Sequence, residues 1–261
     1  MLSQTIVAPR GMLTSGALSI KSRKKRVFIF LAKYLGYYKG VKWHATNPDE
    51  IQEIKSRFGA GANVHLAPVL SASAPDKLTN RIKEVNVLRL VTLARISPEK
   101  GVREAIEWVC KIPNVCSVSL DVFGAIPDTE YAKKCKELAE ASEGRVSIKG
   151  EINPNLISQT LGEYHFFILP TKGENFGHAI AESLVNGVPV IISDRTPWKD
   201  IMSKNAGWDL PLDKDEFIQA IKQACIMDQK EFDKMVVSAQ SIGNELTNSP
   251  EIIRANQLLF E

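Results

Sequence analysis

Gly173-Glu174-Asn175-Phe176-Gly177-His178-Ala179-Ile180-Ala181-Glu182 is the stretch whose reading decides the fold of this 261-residue chain. The apolar run Tyr164-His165-Phe166-Phe167-Ile168-Leu169 leads into it and reads as a strand, which Pro170 and Gly173 break. From about Gly177 the spacing turns helical: Ile180, Leu184 and Val188 share one face, with Ala181 and Val185 beside it. Strand, tight loop and helix N-terminus in that order offer unpaired backbone N–H groups and a partial positive charge, which suit an anion or sugar hydroxyls. Two carboxylates frame the place, Glu174 in the loop and Glu182 about two turns into the helix. An ionised carboxylate only accepts hydrogen bonds, so it suits a pair of hydroxyls. A plainer reading also fits, with Glu174 placed by the helix dipole and Glu182 solvated.

Outward from this stretch, strands and helices alternate. The run Val87–Ala94 reads as a strand, followed by helix Val102–Cys110, strand Val115–Phe123, helix Asp128–Ser142, strand Val146–Lys149 and helix Asn153–Leu161. On the other side Val188–Ile192 reads as a strand and 213–227, 230–246 and 250–260 as helices. This alternation predicts an α/β fold of βαβ units, with a parallel sheet covered on both faces. Ligands of open parallel sheets sit at the carboxyl ends of the strands. Arg95 and Lys100 follow one such end, in Ala94-Arg95-Ile96-Ser97-Pro98-Glu99-Lys100-Gly101. Arg95 offers a fork of donors to a diphosphate and Lys100 a compact charge. They also fit as two surface cations beside a helix start capped by Ser97. Gly150-Glu151-Ile152 follows another strand end. No G-x-G-x-x-G follows a strand, which disfavours a nicotinamide dehydrogenase.

The front of the chain has a different character. Its first 48 residues hold no Asp or Glu but carry Arg10, Lys21, Arg23, Lys24, Lys25, Arg26, Lys33, Lys39 and Lys42, so at a net charge of +3 the remainder is acidic. An anionic partner is expected there. From Val27 a helix is expected, with Phe30, Tyr34 and Tyr38, and Val27, Leu31 and Leu35, at helical spacing. Its apolar-aromatic side either faces a core or lies on an anionic membrane leaflet. Strands are read at Val41–Thr46 and Val64–Val69, flanking a helix that Asn47 caps and Gly59 ends. His44 reads as a strand-end histidine. Residues 71–86, small and polar and then charged, read as a linker.

The apolar fraction of 44% and charged fraction of 24% are those of an ordinary soluble globular protein. No apolar run is long enough to span a bilayer, and the N-terminus lacks a signal-peptide pattern. The cysteines (Cys110, Cys116, Cys135 and Cys225) and the scattered histidines show no metal spacing. A cytoplasmic protein is expected, peripheral on the inner membrane face if its basic front meets lipid, with no nucleic-acid partner.

The two glutamates eight positions apart, set between Leu169-Pro170-Thr171 and Gly187-Val188-Pro189-Val190-Ile191-Ile192-Ser193-Asp194, with Thr196-Pro197-Trp198 beyond, resemble the donor-site signature of the retaining GT-B glycosyltransferases of family 4, the glycosyl transferases group 1. Pro9-Arg10-Gly11-Met12-Leu13 resembles a segment of that family's N-terminal domain. The resemblance implies a GT-B-like architecture, with a Rossmann-like doubly wound donor domain at 87–246, a partial N-terminal, acceptor-side domain at 1–70 and a C-terminal helix at 247–261 crossing back to it. It implies transfer of a glycosyl group, with retention, from a nucleotide-diphosphate sugar such as a UDP- or GDP-sugar. Arg95 and Lys100 would neutralise the pyrophosphate without a metal or other cofactor. Glu174 would hold the sugar hydroxyls and Glu182 the ribose hydroxyls. Gly150, Glu151 and Ile152 would lie along the base. Asn175, Phe176 and Gly177 would present backbone N–H groups, although Phe176 fits a core plug equally well. Trp198 would pack beneath the site, and His178 reads as a helix-start packing residue.

Against the family pattern, residues 1–69 hold only about two strand-helix steps of roughly 30 residues each. The Gly-rich phosphate loop and most of the acceptor site are therefore expected to be missing. Three readings remain open. A second subunit supplies the front, or the chain binds nucleotide sugar without turnover, or it is a scaffold that reuses the fold. For an active enzyme the expected acceptor is a cell-envelope polysaccharide or a lipid-linked molecule.

Overall fold

A computed structural model describes residues 5–13, 22–69, 75 and 78–261. The chain divides into two compact units, one of residues 1–70 with 248–261 and one of residues 71–247.

The large unit is built on a six-stranded, all-parallel sheet. Its strands are β4 (Val87–Leu93), β5 (Ser117–Phe123), β6 (Val146–Gly150), β7 (Phe166–Leu169), β8 (Val190–Ser193) and β9 (Gly207–Leu210), in the order β6-β5-β4-β7-β8-β9. β4 runs beside β5 from Val87↔Ser117 to Leu93↔Phe123, and beside β7 at Leu90↔Phe166 and Val91↔Phe167. The chain builds outward from β4 in one direction, then returns and builds in the other. That reversal is the doubly wound pattern, and it leaves a switch point between β4 and β7.

Helices cover both faces because the strand side chains alternate. Leu90, Phe166, Ile168 and Ile191 join one core with α3 (Val102–Cys110), α4 (Glu130–Glu140) and α7 (Lys214–Ile226). Val91, Phe167, Leu169, Val190 and Ile192 join the other with α5 (Ile157–Leu161) and α6 (His178–Val185). A 3-10 turn at Pro154–Leu156 precedes α5, and α8 (Gln229–Asn248) follows α7. A strand buried on both faces reads as an unbroken apolar run, which is why Phe166–Leu169 has no polar residue. β9 was not expected from the sequence; it holds only four residues, one of them Asp209.

Of the presumed linker only Pro75 and 78–86 are described, and part of it is built into the large unit. Arg81 is buried, with Nη2 donating to the Gly187 carbonyl at 2.5 Å and its guanidinium over the Phe232 ring. The buried Lys83 donates to the carbonyls of Glu84, Cys225 and Met227. Charge in the sequence suggested solvent, but each cation is held by carbonyl oxygens inside.

The small unit carries a three-stranded parallel sheet of β1 (Ile6–Val7), β2 (Lys42–Ala45) and β3 (Val64–Leu66), in that order. β1 and β2 are linked by a crossover containing α1 (Ser22–Tyr34), and β2 and β3 by α2 (Pro48–Phe58). Asn47 caps α2 by accepting from the Glu50 N–H, and Pro48 occupies the first turn, where no N–H is needed. The buried Glu50 carboxylate accepts from Thr46 N, Thr46 Oγ1 and Gly11 N, each at 2.8 Å. Trp43 stacks on Phe58 and Tyr38 packs against both, with centroids 4.3 to 5.2 Å apart. The last helix, α9 (Pro250–Gln257), belongs here: Asn256 Nδ2 donates to Pro68 O at 2.8 Å, and the buried Lys42 Nζ to Leu259 O at 3.1 Å.

The small unit places both the apolar-aromatic side of α1 and His44. Most of the apolar-aromatic set on and after α1, which fitted a core or a membrane leaflet, points outward: Phe30 is 69% exposed, Tyr34 80%, and Val27, Leu31 and Leu35 are exposed as well, while Tyr38 packs inward. Ile29 and the buried Ala32 face inward instead, a narrower stripe. His44 is buried, with Nε2 2.7 Å from the Ala67 carbonyl, so it serves strand packing rather than a ligand. Pro9–Leu13 is described, while residues 14–21 lie outside the described residues, as do the side chains of Arg23, Lys25 and Arg26.

Candidate functional site

The sequence-selected residues of the large unit fall at the carboxyl ends of β4, β6 and β7 and at the start of α6. Arg95 and Lys100 lie in the loop after β4. Glu174, Asn175, Phe176 and Gly177 lie in the loop after β7, and Glu182 lies in α6. The two loops therefore flank the switch point.

They are laced together by the backbone. Glu99 O accepts from Lys172 N at 2.7 Å and lies 3.0 Å from Thr171 Oγ1. Ser193 Oγ donates to Thr171 O at 2.6 Å, and Glu174 N to Arg195 O at 3.2 Å, which extends the lacing to the loop after β8. Gly101 sets the approach. A Cβ on it would stand 2.0 Å from the Pro170 carbonyl oxygen, and its φ is +67°. A larger residue would push the loops apart. Sequence reasoning passed over Gly101, Thr171 and Ser193. The signal it could have used is a glycine directly after the lysine, and small hydroxyl residues where strands end.

The closest contact joins the loops through side chains. Lys100 Nζ lies 2.5 Å from Glu174 Oε1, with the side chains 28% and 11% exposed. Arg95, in the same loop, is exposed instead. The Glu99 backbone N–H and the Ser97 hydroxyl beside it hold the Glu99 carboxyl below the usual carboxylate range, with a smaller contribution from the positive fields of Arg95 and Lys172.

Glu182 differs from Glu174. It is half-buried, and desolvation raises its pKa with no charged neighbour to offset it. An uncompensated carboxylate on the second turn of a helix is ready to accept from hydroxyl groups that enter beside it. Below it Ile180, Ala181 and Leu184 lock α6 into the core. Gly177 caps α6 in a left-handed conformation, with φ +81°. Trp198 Nε1 donates to Phe176 O at 2.5 Å, and its ring lies 5.6 Å from that of Phe176. Phe176 packs on the core cluster, which favours a plug over a ligand contact, and its ring meets His178 edge-on at 5.1 Å.

Gly150 joins the same end of the sheet through backbone contacts. Its carbonyl accepts from Gly124 N at 2.7 Å, and the adjacent Ala125 carbonyl accepts from Ile96 N at 3.0 Å. Glu151 is exposed and Ile152 half-buried, and neither is hydrogen-bonded to the Lys100–Glu174 pair among the described residues. No group of three or more His, Cys, Asp or Glu side chains is placed to hold a metal among the described residues.

The family model "Glycosyl transferases group 1" matches residues 77–239, more than half of the chain. The chain belongs to this family. Its mixed α/β architecture with parallel sheets is of the GT-B type. Among solved structures, a sucrose-phosphate synthase from Thermosynechococcus elongatus is similar with a TM-score of 0.72 at 17% identity, over 98% of this chain and 67% of that one. Anabaena HepE, in complex with UDP and glucose, gives 0.71 at 16% identity over 98% and 70%. The pneumococcal O-GlcNAc transferase GtfA, in complex with UDP and GlcNAc, gives 0.67 at 17% identity over 86% and 47%. This group 1 chain thus spans about half the length of GtfA. No curated protein matches the sequence.

Proposed function

We propose that this group 1 chain binds a nucleotide-diphosphate sugar at the carboxyl edge of its large sheet and takes part in retaining glycosyl transfer to a cell-envelope or lipid-linked acceptor. The observation that carries the reading is the meeting of the Arg95–Lys100 loop with the Glu174 loop across the β4–β7 switch point, joined by Lys100 and Glu174. In this reading Arg95 and Lys100 meet the diphosphate and stabilise its departure. They supply positive charge at the leaving oxygens, which is where transfer needs it most. Glu174 accepts from sugar hydroxyls, Glu182 from the ribose, and Gly150, Glu151 and Ile152 border the base. Backbone N–H groups from Asn175 to Gly177, at the N-terminus of α6, face the anion. Charge supplied in this way predicts transfer that persists in excess EDTA.

Calorimetric titration with UDP, GDP and their sugars tests the binding step. Affinity that a Glu182→Ala variant abolishes supports it, and binding that is equal in the variant refutes it. In a second reading the chain does not turn over alone. It binds nucleotide sugar as a module, with turnover dependent on a second subunit that supplies further acceptor-side structure. Co-purification from the native cell, followed by assay of the chain alone and with the recovered partner, separates the two.

We also propose that the small unit rests on an anionic membrane surface through residues 10–42. The support is the exposed aromatic side of α1, with Phe28, Phe30 and Tyr34 on a segment devoid of acids. No helix among the described residues is long and apolar enough to cross a membrane. Co-sedimentation with phosphatidylglycerol vesicles, set against phosphatidylcholine vesicles, tests it.

A further inference from the structure

Lys100 and Glu174 are 74 residues apart in sequence and belong to different loops, yet each is the other's partner. The arrangement creates a conflict once donor binding is considered. Lys100 cannot give its full charge to a diphosphate while Nζ sits 2.5 Å from a carboxylate that is only 11% exposed. Releasing Glu174 strands a largely buried carboxylate, which is costly unless new donors reach it. We infer that this ion pair makes the site discriminate between an intact nucleotide sugar and the spent nucleoside diphosphate.

The inference rests on the donor-binding reading and adds a role to it. An intact donor brings both replacements at once. Its phosphates take over Lys100, and its sugar hydroxyls donate to Glu174. A nucleoside diphosphate brings only the first. Glu174 is then left without donors, so it competes with the phosphates for Lys100. The neighbouring Arg95 is exposed and is held in no ion pair among the described residues; Glu99 feels it only through space. One cation is therefore always ready for phosphate, and the other is released by the sugar. After transfer the sugar has left, Glu174 reclaims Lys100, and the diphosphate product loses one of its two cations. Product release follows from the same contact.

The test uses the full chain and titrates UDP, GDP, UDP-glucose and GDP-glucose against wild type, Glu174→Gln, Glu174→Asp, Lys100→Ala and the Lys100→Ala/Glu174→Gln double variant. With the nucleotide that binds, Glu174→Gln is expected to tighten the nucleoside diphosphate about tenfold, a ~1.4 kcal/mol coupling, without tightening the nucleotide sugar. Glu174→Asp, which keeps the charge but draws it back by one methylene, is expected to show part of that gain. In the Lys100→Ala background the gain is expected to vanish, because the effect runs through that amine. A Glu174→Gln variant that binds diphosphate no more tightly than wild type would falsify the inference. So would an equal gain with and without Lys100, which would reveal only a general charge effect. Absence of binding by every form would instead overturn the donor-site reading, and this inference with it.

Discussion

The two units use the same βαβ connection and close it differently. In the large unit the central strands β7 and β8 are sealed on both faces, and Leu90, Phe166, Phe167, Ile191 and Ile192 are wholly buried. In the small unit three short strands share one modest core around Trp43 and Ile54, while a helix with Phe30 and Tyr34 on its outer side is left open. A sheet with helices on both faces can carry loops rigidly enough to hold two opposed charges 2.5 Å apart. A sheet with an open aromatic helix offers a surface. The difference teaches that precision of a site is set by closure of the layer beneath it.

Several measurements can break that contrast. The largest effect belongs to the sealed core. Phe166→Ala should cost about 3–5 kcal/mol by urea denaturation, whereas a cost under 1 would mean the sheet is not the rigid part. Acid comes next. Burial pushes the His165 pKa down to about 4, and the ring stays neutral, with Nδ1 accepting from Arg89 N and Nε2 facing Ile82 O. The unfolded chain takes up that proton near the ordinary value and the folded one does not, so stability is full above the ordinary pKa. About 3 kcal/mol should be lost as pH falls from about 6.5 to about 4. Denaturation curves of wild type and His165→Gln across that range check it; a Gln variant with the same pH slope would remove His165 as the cause.

Gly101→Ala comes third, at about 2 kcal/mol from backbone strain. Because the strain falls where the loops meet, nucleotide affinity should drop along with melting temperature. Glu182→Gln should do the reverse. With a raised pKa, this carboxyl favours the folded state most when protonated, below its ordinary pKa, and that benefit is lost as pH rises through the folded value. The variant should therefore be more stable than wild type at neutral pH, by under about 1 kcal/mol, with the gap closing toward acid. Nucleotide binding should weaken all the same. The smallest effect is expected on α1: Tyr34→Ser should change stability by no more than about 0.5 kcal/mol while reducing vesicle binding.

Legibility in the sequence followed the physics of each element. The Phe166–Leu169 run could be read because burial on both faces leaves only apolar residues. Arg95, Lys100, Glu174 and Glu182 could be placed because strand ends and helix starts are marked by proline, glycine and the change of period. β9 was missed, since four residues with an aspartate carry no period. The direction of the apolar side of α1 was left open for a related reason. Apolar spacing says that a face exists, but not what covers it. The buried Arg81 and Lys83 looked solvated because composition cannot show carbonyls that gather from residues far along the chain. The Lys100–Glu174 contact was hidden in the same way, since only the β4–β7 pairing brings those loops together.

The placement of the last residues bears on synthesis. Lys42, on the second strand of the small unit, hydrogen-bonds to carbonyls at Leu258 and Leu259, and residues 248–261 complete that unit. All of 71–247 leaves the ribosome before they do. The unit begun first therefore finishes last, and the large sheet can be folded while the front of the chain still waits for its final helix.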